Sequence, residues 1–302
     1  MLATSRIAEA VAAVYTAAAM SRPALDPHVY VLRHTHWDRE WYHPAVVFRK
    51  RLVDLVDDLL GESPNVPFLL DGQAIVLQDY LAVRPERAAD VASALQNGHI
   101  EAGPWFVLPD ELIPGGEALV RNLLAGRRVL RSLRATAPDV LYCPDSFGHP
   151  AALPTIAAGF GCPTVILWRG YGSRRFPRGD AVYWSAPSGE RVVLFHLPPA
   201  GYEFGSNLPA DDIGARERWH AMRRVLEPRS ALGVWLVPNG ADHHAPQREG
   251  ERAIAALRRA VAPLPLTVGG LSEFGALLLR RAGGVDLPSV RGELRDSYGY
   301  TW

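Results

Sequence analysis

Cysteine is scarce in this sequence. The 302 residues include two cysteines, Cys143 and Cys162, which are 19 positions apart (162 − 143). Two thiols at this spacing provide neither the disulfide framework of a small secreted domain nor the paired cysteines of a zinc ribbon. We therefore expect both cysteines to be small buried residues and the protein to occupy a reducing, cytoplasmic compartment.

A net charge of either sign is also missing. Lysine and arginine together number 32, and aspartate and glutamate together also number 32. A balanced chain has no general field that would attract nucleic acid or an anionic membrane surface. We therefore expect neither of these partners, and any charged ligand must be recognised locally.

The sequence has no apolar run long enough to cross a bilayer. Residues 7–20 are apolar and rich in alanine, but Glu9 interrupts them and the run is too short to span a membrane. We interpret residues 1–27 as an N-terminal helical segment that contains an amphipathic surface helix. A cleaved signal peptide, with the small residues 17–19 near its cleavage site, is the alternative.

Short apolar runs and amphipathic stretches alternate along the rest of the chain, which is 48% hydrophobic. The runs are continuous rather than alternating, as is typical of strands covered on both faces in a parallel sheet. This order predicts an α/β domain over residues 28–302, with a mostly parallel sheet or an irregular seven-stranded β/α barrel and flanking helices. The predicted strands are 28–32, 66–70, 140–143, 164–168, 191–196, 232–238 and 266–268, and the predicted helices include 46–60, 87–96, 116–136 and 247–262.

Polar and aromatic side chains follow the predicted strands rather than precede them. In parallel α/β folds the carboxyl ends of the strands meet at one edge, where the ligand site lies. We therefore expect these side chains to share one pocket. They are His34, His36 and Asp38 after the first run, Asp71 after the second, Asp145 after the third, Trp168 and Arg169 after the fourth, and Asn239, Asp242, His243 and His244 after the run that ends at 238.

The segment HTHWDREWY, residues 34–42, carries the strongest chemical signal. Residues two apart on an extended chain point to the same side, so His36 and Asp38 can present a nitrogen and an oxygen to one divalent transition metal such as zinc. His34 lies one step back on that side and could ligate or orient a ligand. Trp41 adds a flat apolar face on which sugar C–H groups can pack. A solvated polar turn is the alternative for this segment.

Two further segments supply carboxylates. Pro144 should end its strand and leave Asp145 exposed at the tip, although Asp145 could instead cap the next helix. Asp242 follows an Asn-Gly turn signal and could simply stabilise the start of a helix. Together the two aspartates could form the carboxylate pair of a glycoside hydrolase, with Asp145 as nucleophile and Asp242 as acid.

The chain resembles glycoside hydrolase family thirty-eight, the α-mannosidases, and in particular the bacterial form with the motif HTHWDREWY. The resemblance covers roughly residues 28 to 300, and six ordered motifs carry it. These motifs are residues 34–42, Phe68 to Gln73, Asp79 to Leu81, the block from Gly103 through Glu111 to Asn122, the Pro-Asp-Ser-Phe-Gly-His segment at 144–149, and Asn239 to His243.

The resemblance implies an activity and a set of roles. In similar enzymes the mannoside is hydrolysed with retention of configuration through an ester on an aspartate, and one zinc ion holds the sugar. Carried over by position, His36 and Asp38 become zinc ligands, Asp145 becomes both the nucleophile and a third ligand, and Asp242 becomes the acid/base. Trp41 becomes the floor for mannose, and Arg169, Tyr202 and His243 become candidate substrate contacts.

The chain also departs from the family pattern. Family members add a helical bundle and β-sandwich domains, and their fourth zinc ligand is a histidine located beyond the position that Trp302 occupies here. We therefore expect residues 1–302 alone to bind zinc more weakly than complete members, to show little or no mannosidase activity, and to self-associate through apolar surface left uncovered. His149, His243 or His244 could replace the missing ligand.

Two other functions remain open at this point. One is a catalytically silent or merely sugar-binding remnant of an α-mannosidase. The other is a metal-dependent deacetylase, which would share the α/β scaffold and an Asp/His metal site. Paired carboxylates and Trp41 favour glycosidic chemistry over deacetylation.

Overall fold

The computed structural model describes residues 25–62, 66–297 and 299–302. Most of the predicted N-terminal helical segment, residues 1–24, lies outside these ranges. Within the described ranges the chain alternates strands with helices, as expected for an α/β fold.

Ten strands occur in the described residues. All seven predicted strands match an observed strand to within two residues at each end, although the run at 66–70 is reduced to two paired residues. The pattern did not predict β3, β6 or β10. The strands are β1 His28–Arg33, β2 Phe68–Leu69, β3 Ile100–Glu101, β4 Val140–Cys143, β5 Thr164–Leu167, β6 Ala181–Ser185, β7 Arg191–His196, β8 Val234–Asn239, β9 Leu266–Val268 and β10 Ser289–Arg291.

The helices pack their apolar faces against these strands. Four of them occur at the predicted places, and the others were not predicted. In the described residues the helices are α1 Ala45–Gly61, α2 Ile75–Leu81, α3 Ala88–Gln96, α4 Gly116–Ser132, α5 Leu153–Gly159, α6 Asp212–Leu226, α7 Gly250–Val261 and α8 Leu271–Ala282. None of the described helices has the length and apolarity needed to cross a membrane.

The strands form three hydrogen-bonded groups, in the orders β8-β1-β9, β10-β6-β7-β5-β4 and β2-β3. The pairs are parallel except for β6 and β7, which are antiparallel. The prediction of a mostly parallel α/β fold is therefore confirmed, whereas the irregular seven-stranded β/α barrel is not.

Main-chain bridges extend two of these groups beyond the ends of the strands. His34 pairs with Leu69, and His36 pairs with Asp242, both in parallel. The loops that follow β1, β2 and β8 therefore come together at one edge, which is the carboxyl edge of the parallel strands.

The core lies between the strands and the helices. Strand residues such as Tyr30, Ile166 and Leu236 pack with Phe274 of α8 in one buried cluster. Both cysteines are free and buried, as predicted. At about 25 cal/mol per Å² of apolar surface removed from water, burial of this kind is the main stabilising contribution to the fold.

Candidate active site

The predicted site residues gather at the carboxyl edge. Asp145 follows β4, Arg169 follows β5, and Asp242 follows β8, where it pairs with His36 of the β1 loop. The His36 Nε2 atom lies 4.0 Å from Asp145 Oδ2 and 3.9 Å from Asp38 Oδ1. The structure therefore brings an imidazole and two carboxylates from distant parts of the sequence to one place.

His36 is buried, and its two ring nitrogens face different partners. Nδ1 lies 3.1 Å from Asp71 Oδ2, which leaves Nε2 directed at Asp38 and Asp145. Burial lowers the pKa of His36, but the charges of Asp71, Asp38 and Asp145 outweigh it and raise the pKa to about 9. Without a metal, the imidazole is therefore a cation at neutral pH.

Asp71 fixes the orientation of His36. Its carboxylate is completely buried and accepts hydrogen bonds from the backbone N–H groups of Trp37 at 2.9 Å and Gly72 at 2.8 Å, and from Gln73 Nε2 at 3.0 Å. Burial raises the pKa of Asp71, but His36 and these donors lower it below its ordinary value. Asp71 is therefore a buried anion that orients the imidazole, as carboxylates commonly do for metal-binding histidines.

Asp145 is held through one oxygen. Arg169 donates from Nε to Oδ1 at 2.7 Å, and its Nη2 lies 2.5 Å from the same oxygen. The other oxygen, Oδ2, faces His36. Burial raises the pKa of Asp145 above its ordinary value, against the opposing effects of His36 and Arg169. Arg169, a predicted substrate contact, is thus also a direct partner of Asp145.

Asp38 and His243 form the outer side of the site. The Asp38 side chain is 39% exposed, and its Oδ2 lies 3.7 Å from His243 Nε2. The His243 ring is buried and stacks on Phe48 at 4.2 Å, while its Nε2 also lies 3.1 Å from the Asp38 backbone nitrogen. These contacts make His243 a support for the Asp38 segment, and its contact with substrate stays a prediction.

Asp242 lies beside Tyr202. The Tyr202 hydroxyl hydrogen bonds to the Asp242 carboxylate, and its ring centroid lies 4.9 Å from that of His36. Burial, followed by the charges of Asp145 and Asp242, raises the pKa of Tyr202 well above its usual range, so the hydroxyl stays protonated. Asp242 Oδ1 is buried without a hydrogen-bond partner among the described residues.

Two other predicted side chains have distinct surroundings. Trp41 is 65% exposed and lies at the rim, with its ring centroid 6.4 Å from that of His243. His34 does not face the carboxylates. Instead its Nε2 lies 2.8 Å from the Tyr202 carbonyl oxygen. His34 therefore braces the backbone behind Tyr202.

His36, Asp38 and Asp145 carry the donor types that a divalent cation takes, and His36 Nε2 lies within reach of both carboxylates, although the three ligand atoms do not all lie within 4.8 Å of one another. Two ligand atoms that each bind one zinc ion at about 2.0 to 2.2 Å can stand no more than about 4.4 Å apart. The His36–Asp38 and His36–Asp145 distances of 3.9 and 4.0 Å both satisfy this limit. With Nδ1 3.1 Å from Asp71 Oδ2, Nε2 is the atom that would bind the ion.

A second group with ligand-type atoms, Glu111, Cys143 and His149, is more tightly gathered. It is the one set of three in the described residues whose ligand atoms all lie within 4.8 Å of one another. However, both His149 nitrogens have partners: Nδ1 lies 2.8 Å from Glu111 Oε2, and Nε2 lies 3.2 Å from the Arg169 carbonyl oxygen. Burial, followed by Glu111, raises the pKa of the Cys143 thiol well above its usual range, so the thiol keeps its proton. This group is therefore a hydrogen-bonded part of the core, and His149 is not available as a replacement ligand.

The sequence pattern did not assign roles to Asp71 or Glu111, although both are central to the arrangement. The position of Asp71 directly after an apolar run predicted its place at this edge, although not its role. Glu111 and its partner His149 are 38 residues apart in sequence and meet only through the fold.

Comparison with known proteins identifies the family of the chain. The model of the glycosyl hydrolases family 38 N-terminal domain matches residues 26–287. A putative mannosylglycerate hydrolase of Halalkalibacterium halodurans is 34% identical over 240 residues, which are 74% of this chain and 27% of that relative. This chain thus spans about a quarter of the length of that relative.

Solved structures extend the comparison to the fold. An α-mannosidase from Enterococcus faecalis V583 superposes with a TM-score of 0.81 and 30% identity, over 89% of this chain and 31% of that chain. A polysaccharide deacetylase described as putative, from Mycobacterium smegmatis, gives a TM-score of 0.52 with 13% identity, over 89% of this chain and 96% of that chain. The second likeness concerns the fold alone.

Proposed function

The chain belongs to glycosyl hydrolase family 38, and from this membership we propose that it carries the catalytic face of a retaining α-mannosidase that uses zinc. The observation that carries this proposal is that the two carboxylate oxygens of Asp145 have different neighbours. Arg169 holds one oxygen at 2.7 Å, while the other lies 4.0 Å from His36 Nε2, and the charge of Asp242 also acts on Asp145. A nucleophilic carboxylate needs one fixed oxygen and one that is able to react.

In the first step, the carboxylate of Asp145 attacks the anomeric carbon of the mannoside. The bond from that carbon to the leaving oxygen breaks, and Asp242 gives its proton to this oxygen. The Tyr202 hydroxyl, which keeps its own proton, hydrogen bonds to Asp242 and orients it. The products of this step are the free alcohol and a mannosyl ester on Asp145.

In the second step, Asp242 takes a proton from water, and the water oxygen attacks the same carbon. The ester bond breaks, Asp145 regains its carboxylate, and mannose leaves with its original configuration. Arg169 compensates the charge that returns to Asp145, because its guanidinium is already paired with Oδ1. We expect the two reacting carboxyl groups to lie about 5 to 5.5 Å apart when substrate is bound.

His36, Asp38 and Asp145 are the residues that would hold zinc. A bound zinc ion supplies Lewis acidity and a fixed point for the sugar hydroxyls. The positive charge of the same ion would offset the repulsion among the carboxylates of Asp38, Asp71, Asp145 and Asp242. Without the ion, the charges of these carboxylates raise the pKa of His36 and of Tyr202.

The decisive experiment is to trap the ester. The chain is incubated with zinc and an activated 5-fluoro-α-mannosyl fluoride, whose electron-poor ring slows hydrolysis of the ester, and the protein is then digested for mass spectrometry. We expect one added fluoromannosyl group on the peptide that contains Asp145 and none in Asp145→Asn. No adduct, or an adduct on another residue, would reject the proposal.

Labelling also suits a chain from which little turnover is expected, since one turnover of the first step suffices. The relative named as a putative mannosylglycerate hydrolase suggests a second arm, in which mannosylglycerate and an aryl α-mannoside compete with the trap. Protection of Asp145 by either compound would identify the aglycone that the site prefers.

A further inference from the structure

Arg169 contacts Asp145 and is itself held by other parts of the fold. Besides its two contacts with Asp145 Oδ1, it donates from Nη1 to the Gly299 carbonyl oxygen. Its guanidinium carbon lies 4.3 Å from the ring centroid of Phe147 and 4.4 Å from that of Trp168. The guanidinium is thus held between two aromatic rings.

The backbone that carries Arg169 is held by two buried histidines. His196 Nε2 lies 2.8 Å from the Trp168 carbonyl oxygen, and His149 Nε2 lies 3.2 Å from the Arg169 carbonyl oxygen. A carbonyl oxygen can only accept, so each histidine must carry a proton on Nε2 to make its bond. Two successive carbonyl groups at the end of β5 therefore each accept a histidine N–H.

The opposite nitrogen of each ring has a partner that holds the ring in place. His196 Nδ1 lies 2.9 Å from Arg229 Nη2, which can only donate, and the proton of a neutral His196 therefore sits on Nε2. Burial, followed by the charge of Arg229, lowers the pKa of His196 to about 3, so the ring is neutral at physiological pH. His149 Nδ1 faces Glu111 Oε2 at 2.8 Å.

The loop that contains Glu111 also supports the Asp145 loop directly. The Phe147 backbone N–H donates to Asp110 Oδ1 at 3.1 Å, and Ser146 Oγ donates to the Pro109 carbonyl oxygen at 2.9 Å. The residues around Asp145 and the residues around Arg169 are thus both attached to the same core, with His149 between them.

We propose that His149, oriented by Glu111, and His196 are positioning residues that fix the backbone of Trp168 and Arg169 and so aim Arg169 at the Asp145 nucleophile. This inference rests on the proposed function for the role of Asp145. This role requires no contact of either histidine with substrate or metal. Their contribution is the geometry of the guanidinium.

The test replaces each histidine by asparagine and by glutamine, which differ in side-chain length. Glutamine can place its amide nitrogen near the position of Nε2, whereas asparagine is too short to do so. We expect His196→Asn and His149→Asn to lower the rate constant for labelling of Asp145 by about 10- to 100-fold, with the trap concentration for half-maximal rate changed less than about twofold. His196→Gln and His149→Gln should recover most of that rate.

His99 provides the matched control. It is also a buried histidine, and its Nε2 lies 2.8 Å from the carbonyl oxygen of Leu59, at the end of α1. His99→Asn should lower the melting temperature about as much as His196→Asn while leaving the labelling of Asp145 unchanged. If His99→Asn slows labelling equally, the effect is general loss of stability and the proposal is wrong.

A second readout does not depend on activity. The Nε–H of Arg169 can be followed in ¹H–¹⁵N NMR spectra and identified by its loss in Arg169→Lys. We expect this signal to move or broaden in the two Asn variants, to return towards its original position in the Gln variants, and to stay unchanged in His99→Asn. An unchanged signal in both Asn variants would overturn the inference. Absence of any wild-type label on Asp145 would reject the proposed function, and the NMR comparison would still decide the positioning role.

Discussion

Asp71 and Asp145 lie on two sides of the site, and their carboxylates make different contacts. On the β1–β2 side, Asp71 accepts from two backbone N–H groups and from Gln73, and lies 3.1 Å from His36 Nδ1. On the β4–β5 side, both contacts between Arg169 and Asp145 involve Oδ1, and Oδ2 lies 4.0 Å from His36 Nε2. Asp71 is completely buried, whereas the Asp145 side chain is 23% exposed.

This difference explains how the carboxyl edge of the strands can hold both a carboxylate that orients His36 and a carboxylate that reacts. The charge of His36 and the donors on both oxygens lower the pKa of Asp71 against its burial, whereas burial raises the pKa of Asp145 against the effects of His36 and Arg169. A carboxylate whose oxygens are all engaged can orient a neighbour but has no free oxygen to form a bond. We therefore expect substitutions of the two residues to fail in different ways.

The largest effect should come from Asp145→Asn. An amide is a far weaker nucleophile than a carboxylate, so labelling by the fluorosugar should fall below about one-thousandth of the wild-type rate. Asp57→Asn is the matched control because Arg84 also contacts one oxygen of Asp57 with two nitrogens, away from the site. Labelling at the wild-type rate in Asp145→Asn would remove Asp145 from the mechanism.

The next largest effect should come from Asp71→Asn, and it should concern the metal. Loss of the charge that orients His36 should weaken zinc binding by about 10- to 100-fold, as measured by competition with a chromophoric chelator. Asp180→Asn, a change at another buried aspartate that makes no contact with His36 among the described hydrogen bonds and ion pairs, should leave zinc affinity unchanged. Equal zinc affinities in wild type and Asp71→Asn would show that the orienting role is wrong.

A smaller effect is expected from Trp41→Ala at the rim. Loss of one aromatic face should raise the trap concentration for half-maximal labelling by up to about tenfold, and the maximal rate should change little. Val46, in the same region and 73% exposed, gives the control Val46→Ala, which should change neither value. A lower maximal rate in Trp41→Ala would instead place Trp41 in the chemical step.

The smallest effect concerns stability and extends the comparison to Asp180. Burial, against the opposing charge of Arg229, raises the pKa of Asp180 from 3.8 to about 7. Between these values the folded state holds a proton that the unfolded chain releases, so this group makes the protein less stable as pH rises from about 4 to about 7. Asp180→Asn should therefore reduce the fall in melting temperature between pH 5 and pH 8 by a few °C, measured by scanning calorimetry.

Asp212→Asn is the control for this pH dependence. A hydrogen bond from Arg259 lowers the pKa of Asp212, so that carboxylate stays ionised throughout the same range. Its substitution should move the melting temperature without changing the slope. A wild-type slope in Asp180→Asn would contradict the raised pKa.

The fold could be predicted from sequence where apolar runs were continuous. β1, β4, β5, β7, β8 and β9 followed from continuous runs, whereas β3 has only two residues and β6 pairs antiparallel to β7 by a short connection. Helix α6 was missed because most of its surface is charged. Its buried residues Ala215, Trp219, Met222 and Leu226 are spaced by four, three and four, and this spacing is a helical signal.

The site was predicted only as far as local rules extend. Placement of polar residues after strands brought His36, Asp145, Arg169 and Asp242 into one group. The partners that orient them could not be found in this way, because the pairs Glu111–His149 and His196–Arg229 depend on loops that come together in three dimensions. Residues two apart on an extended chain point to the same side, and this rule predicted that His34 would lie on the metal side. Its Nε2 instead lies near the Tyr202 carbonyl oxygen.

Asp71 combines two requirements at one position. Its φ of 87° lies in the left-handed region, where asparagine and aspartate are tolerated far better than most residues and glycine best of all. Glycine has no side chain to hold His36, and asparagine carries no charge. Both the backbone conformation and the required charge therefore restrict which residues can replace Asp71. A library that samples all twenty amino acids at this position should return aspartate nearly alone among variants that are both stable and active.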